Sequence, residues 1–123
     1  MATALVIDGD PPTCESLCQL LKLLDVSARP AFNAHAALLT LADSTPDLIF
    51  LACSQAAGEG EGVEFLEFLQ GESALASIPV VLVVDNCHLD APGKFPRAGI
   101  LDIVPRPAPL DAVERALQKA GVV

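Results

Sequence analysis

Two runs in this chain have almost no polar side chain on either face. Asp47 to Cys53 places Leu48, Ile49, Phe50, Leu51 and Ala52 in succession, and Pro79 to Val84 is nearly all valine. A strand that is apolar on both faces must be covered on both faces, which is the condition of a central strand in a parallel sheet. Ala4 to Asp8 and Ile100 to Val104 are shorter runs of the same kind. Between them the period changes to that of a helix. Cys14, Leu17, Leu21 and Leu24, with Leu20 beside them, recur at three- and four-residue spacing. Strands alternating with helices imply an α/β fold with a parallel sheet and helices on both of its faces. Right-handed crossovers then leave few topologies.

The punctuation fits that reading. Asp8-Gly9-Asp10-Pro11-Pro12 ends a strand, turns, and starts a helix with Asp10 as its cap and proline in the first turn. Val26 to Phe32 reads as a second strand, and Pro30 inside it places it at a sheet edge. Asn33 caps a second helix that runs through Ala42 and stops before Pro46. Gly58 to Gly62 is an acidic loop. Val63, Leu66 and Leu69, with Phe65 and Phe68, form a third helix up to about Gly71. Asn86 to Arg97 should hold a fourth helix, but Pro92, Gly93 and Pro96 predict that it is short or irregular. Leu110, Val113, Leu117 and Ala120 lie on one face of a last helix. The 123 residues suffice for one domain spanning 1–123.

Composition excludes several functions. The formal net charge is −9, and phosphate contacts need clustered Lys and Arg, so neither nucleic acid nor an anionic membrane is an expected partner. There is no Trp or Tyr to stack on a single strand. No apolar run approaches the roughly 20 residues of a spanning helix. The start lacks a basic segment, which makes the cytoplasm the expected location. Four cysteines in such a chain are expected as free thiols.

Leu5-Val6-Ile7-Asp8-Gly9-Asp10-Pro11, Pro46 to Leu51, Ile78-Pro79-Val80-Val81, Ala98-Gly99 and Arg106-Pro107 occur in this order across essentially the whole chain. With these pieces the chain resembles the receiver domain of bacterial two-component response regulators. The resemblance implies a doubly wound, flavodoxin-like, five-stranded sheet of order 2-1-3-4-5, which agrees with the edge position that Pro30 gives strand two. It also implies a site at the carboxyl ends of the strands. There, two acids and an acceptor aspartate hold Mg²⁺, the aspartate takes a phosphoryl group, and a Ser or Thr and a Lys contact its oxygens.

Matched position by position, this chain keeps little of that set. Asp8 stands at the first acid, Gly9 at the second, Ala52 at the acceptor, Val84 at the hydroxyl and Arg106 at the lysine. Ile103 stands where the family usually carries a Tyr or Phe that reports activation. A methyl group has no nucleophilic oxygen and cannot ligate a metal. The resemblance therefore implies a degenerate, phosphorylation-independent receiver, or pseudo-receiver, that is not an enzyme, holds no metal or cofactor and has no catalytic residue.

The residues that remain have expected roles. Asp8 and Arg106 are expected as an internal ion pair, since a guanidinium fork suits a carboxylate; an anion or small-ligand site is the alternative. The Arg106-Pro107 bond is expected to be cis by the resemblance. Cys14, Cys53, Cys87 and His88 are expected as separate packed groups, with a thiol or metal sensor as the alternative. Asp85 is expected to cap a turn; as an alternative it is a relocated phosphoacceptor in a phosphorelay. Glu59 and Glu61 are expected in a solvated loop, and His35 as a surface or half-buried side chain. In the family, a face near the fourth helix and fifth strand docks partners. Leu89, Phe95 and Ile103 would give this chain an apolar patch there. The expected function is protein–protein interaction in two-component signalling, with a histidine kinase, another regulator, an output domain or a second copy as partner.

Overall fold

The computed structural model describes residues 2–53, 65, 67–85, 100–106 and 108–121. Its elements in chain order are β1 (Thr3–Ile7), α1 (Pro11–Leu23), β2 (Ser27–Ala31), α2 (Ala34–Asp43) and β3 (Leu48–Cys53). A short helix α3 covers residues 67–71 and is followed by β4 (Val80–Asp85), β5 (Ile100–Arg106) and α4 (Leu110–Ala120). The strands form one sheet of order β2-β1-β3-β4-β5, and every neighbouring pair is parallel. β2 is an edge strand, where the missing N–H of Pro30 costs no ladder bond on its outer side.

The two-residue period of the strands divides the core into two layers. Val6, Phe50, Val81, Val83 and Val104 pack with Leu21 of α1 and Val113 and Leu117 of α4. Leu5, Ile7, Leu51, Leu82 and Val84 face the other way and pack with Ala37 and Leu41 of α2 and Leu69 of α3. Consecutive strand residues thus bury on opposite faces, which is why the central runs are apolar throughout.

Helix ends follow local chemistry with one exception. The Asn33 side chain accepts the Ala36 N–H at 2.7 Å, a true side-chain cap. Asp10 occupies the N-cap of α1 without a side-chain cap bond. Its carboxylate accepts the Thr13 hydroxyl instead. After α1 the chain turns through Asp25, whose φ of 63° is left-handed, a region that Asp tolerates better than most residues. α4 stops at Gly121 with φ of 75°.

Two expectations change. β5 runs two residues past Val104, through Pro105 to Arg106. Asp85 is the last residue of β4 and pairs in register with Arg106, and the turn that it is expected to cap lies outside the described residues. Leu110 is 45 % exposed, and α4 buries Ala112, Val113, Ala116 and Leu117 instead. Leu110 is the first residue of the helix, ahead of the turns that lie on the sheet. The fourth helix expected within residues 86–97 lies outside the described residues, as do Glu59 and Glu61.

β5 and α4 are clamped by one carboxylate. Asp102 Oδ2 accepts from Arg115 Nε at 3.0 Å, and Oδ1 lies 3.4 Å from Lys119 Nζ. Oδ1 also accepts the Ile103 N–H at 2.9 Å. Burial pushes the Asp102 carboxyl up, but the Arg115 hydrogen bond, the Ile103 N–H and the two cations outweigh it and hold it below its ordinary value. A carboxyl lowered in the folded state adds stability above its unfolded value, and this is lost as pH falls through the folded one. Asp102→Ala is expected to cost about 1–2 kcal/mol at neutral pH, at the low end for charged hydrogen bonds because both cations are half-exposed. Urea midpoints of the two proteins should converge as the pH is lowered to about 3.

Candidate functional site at the carboxyl edge of the sheet

All five strands are parallel, so their carboxyl ends gather along one edge. Ile7 pairs with Leu51, which brings the next residues, Asp8 and Ala52, side by side. Ala52 pairs in turn with Val83, and Cys53 with Val84. Val84 pairs with Pro105, and Asp85 with Arg106. The sheet therefore collects Asp8, Gly9, Ala52, Val84 and Arg106 near one edge, although they span the chain from end to end.

Asp8 is the one charged side chain buried among the described residues, at 5 % exposure. Its Oδ1 accepts the Asp10 N–H at 2.9 Å, and its own N–H donates to the Ala31 carbonyl at 3.0 Å. These bonds hold the carboxylate at the mouth of β1. Gly9 supplies no ligating atom, yet its backbone does not demand glycine. A Cβ there would meet nothing nearer than the Phe32 carbonyl oxygen at 3.7 Å, and Gly9 is not among the positive-φ residues. Ala52 is half-buried and presents a methyl group beside Asp8. Val84 is fully buried on the α2 and α3 side, so its position faces the core rather than the edge.

This donor set does not fit the Mg²⁺ of the family. Mg²⁺ is held by carboxylate oxygens in near-octahedral geometry, and of the three matched positions only Asp8 has an oxygen to offer. Acyl phosphate chemistry at position 52 also lacks its nucleophile.

The other candidates separate. Ile103 is half-buried on the edge strand β5 and packs against the core layer of α2 and α3, with part of its side chain left at the surface. It pairs with Leu82 in the β4–β5 register. His35 is exposed, the first of its two expected placements. Cys14 is buried beneath the edge, with its thiol donating to the Val6 carbonyl at 3.5 Å. Leu89, Phe95, Cys87 and His88 lie outside the described residues, as do the side chains of Cys53, Asp85 and Arg106 and the Arg106-Pro107 bond. The Asp8–Arg106 ion pair therefore stays an expectation.

Two arrangements escaped the sequence. One is the pairing of Asp85 with Arg106, which needs the true length of β5. The other is the approach of Cys18 to Cys14, whose four-residue spacing was legible but whose shared burial was not.

The fold is that of the receiver domains of two-component response regulators. A signal receiver domain of a histidine kinase from Syntrophus aciditrophicus superimposes with a TM-score of 0.82 at 20 % identity, over 100 % of this chain and 92 % of that one. The receiver domain of NtrX from Brucella abortus gives 0.77 at 24 % identity, over 94 % of this chain and 98 % of that one. In sequence, the chain is 27 % identical over 118 residues to the nitrogen assimilation regulatory protein NtrX of Azorhizobium caulinodans, covering 93 % of this chain and 26 % of that regulator. The chain thus spans about a quarter of the length of the curated relatives it matches. No protein-family model matches it. Among the described residues, no helix is long and apolar enough to cross a membrane.

Proposed function

We propose that this chain is a pseudo-receiver: a receiver-fold regulatory module of two-component signalling that acts by binding protein partners, without being phosphorylated and without catalysing a reaction. The observation that carries the reading is the methyl of Ala52 beside the buried carboxylate of Asp8. At that place a phosphoryl group has nothing to bond to. Gly9 and Val84 support it, since the neighbouring metal and hydroxyl positions also lack polar side-chain atoms.

The partners that suit such a module are a histidine kinase, another regulator, an output domain or a second copy. The similarity to about a quarter of the length of larger regulators supports a regulatory role next to an output function. Beside the half-buried Ile103, exposed apolar side chains such as Leu39, at 61 % on α2, are contact candidates.

A second reading has one observation in its favour. Asp85 ends β4 opposite Arg106, which places an acidic residue at the same strand end, one position past Val84. Incubation with a small acyl phosphate and Mg²⁺ followed by intact mass measurement tests both. No phosphoryl adduct is expected; an adduct that Asp85→Asn abolishes would replace the pseudo-receiver with a relocated acceptor.

A further inference from the structure

Both edges of the sheet are blunted against an added strand. In β2 the Ser27 N–H donates to the Ala2 carbonyl, and the Ala31 carbonyl accepts the Asp8 N–H. Ser27, Arg29 and Ala31 therefore turn their backbone to β1, and Pro30 between them faces outward without an N–H. At the other edge the Ile103 N–H is taken by Asp102 Oδ1 at 2.9 Å. Strand addition needs a continuous row of unpaired donors and acceptors, so contact with another protein falls to the helix faces.

Those faces differ. α1 turns Glu15 and Lys22 to solvent, and α4 turns Arg115 and Lys119. α2 exposes His35, Leu38, Leu39 and Ala42 at the spacing of one helical stripe, with Leu38 37 % and Leu39 61 % exposed. Its inner residues Ala37 and Leu41 are already buried on the sheet. A helix that is apolar on both sides calls for cover on both sides. The helix has no charged residue before Asp43, its last, and Asp43 pairs with Arg29 at 3.3 Å.

We infer that the outward stripe of α2 is a self-association surface, and that its occupant is α2 of a second copy, antiparallel about a two-fold axis between Leu38 and Leu39. Charge selects this occupant. Two chains of net charge −9 repel each other. They meet at least cost where neither presents an acid to the other, and the middle of α2 meets that condition. The same stripe offers no carboxylate to draw a basic partner. An antiparallel pair sets Leu38 and Leu39 against their own copies at the centre. It also carries His35 to the last turn of the second helix, where the imidazole can donate to the Asp43 carboxylate. The N-terminus of each helix then meets the C-terminus of the other, so the helix dipoles attract. Two leucines, an alanine and a histidine are a small contact beside the roughly 800 Å² per partner of a standard interface, so the dimer is weak and forms as concentration rises. The inference rests on the reading of this chain as a partner-binding module, and names one partner and the face that binds it.

Sedimentation velocity of the full chain over a range of concentrations tests it. A reversible dimer is expected, its population rising with concentration up to about 1 mM. Leu39→Glu should weaken the dimer by about tenfold or more, because two new carboxylates then face each other beside the two-fold axis. His35→Lys should tighten it roughly twofold, by setting a cation against Asp43 of the second copy; in a parallel pair the two new cations would face each other and weaken it. Circular dichroism checks the fold of each variant, and Leu39→Ser makes the same test should Leu39→Glu not fold. A chain that stays monomeric at about 1 mM would overturn the inference and leave the stripe to a different partner. So would a dimer that a folded Leu39 variant leaves unchanged, or that His35→Lys fails to tighten. The acyl phosphate experiment is separate: an adduct there would remove the pseudo-receiver, whereas a monomer that takes no phosphoryl group would remove only the dimer.

Discussion

Gly9→Asp combined with Ala52→Asp is expected to turn a domain indifferent to Mg²⁺ into one that binds it. The two new carboxylates would join Asp8, which already stands beside position 52 and is held in place by the Asp10 N–H. Three acids at one strand edge repel each other, so the variant should melt below the parent in the absence of divalent cations. Mg²⁺ should reverse that loss, by about 1.4 kcal/mol when its concentration is tenfold above Kd. The backbone permits the change, because a Cβ at position 9 meets only the Phe32 carbonyl at ordinary contact distance. The parent should show no shift, since one carboxylate leaves Mg²⁺ mostly hydrated. Melting curves with and without Mg²⁺ on both proteins decide it. A variant that melts identically in both buffers would mean that the edge no longer brings these three positions together.

Phe50→Ala is expected to be the most damaging single truncation in the sheet, costing about 3–5 kcal/mol. Phe50 has no exposed surface and is one of the largest fully buried side chains among the described residues. It sits in β3, the central strand, in register with Val6 on one side and Val81 on the other. Removing its ring leaves a cavity among Val6, Leu48, Val81 and Val83, which are anchored in paired strands and cannot collapse inward. A domain of this size would lose roughly 10–20 °C in melting temperature. Phe50→Leu, which keeps most of the volume, should lose much less. Equal losses for both variants would show that the site is not packed as described.

The parallel sheet was legible because its signal is local and repeated. A strand covered on both faces needs an apolar side chain at every position, and Leu48 to Ala52 and Val80 to Val84 meet that requirement. Pro30 marked the edge for the equally local reason that it lacks a donor. Elements were misjudged at their ends. Pro105 and Arg106 belong to β5 although proline argues for a stop, because β5 is itself an edge strand and tolerates proline. Leu110 fits a helical stripe by spacing, yet only the docking of α4 on the sheet shows that the stripe begins at Ala112.

At the site the division is similar. That position 52 carries a methyl and position 9 no side chain is a matter of residue identity, and the sequence states it outright. Chemistry excluded by a missing atom needs no coordinates. Which layer Ile103 packs against depends on the β4–β5 register, which shifts between Val80 and Val81.

What the sequence by itself determined is the alternation of strands and helices, the burial of the central strands and the absence of a nucleophile at Ala52. Each of these rests on side-chain chemistry and on periods read within a few residues. Only the tertiary structure decided that Asp85 stands opposite Arg106, that Ile103 packs on the α2 and α3 side, and that Cys14 and Cys18 share a buried layer with α4. Those facts depend on register and docking between segments far apart in the chain, and no local pattern encodes which face of one element meets which face of another.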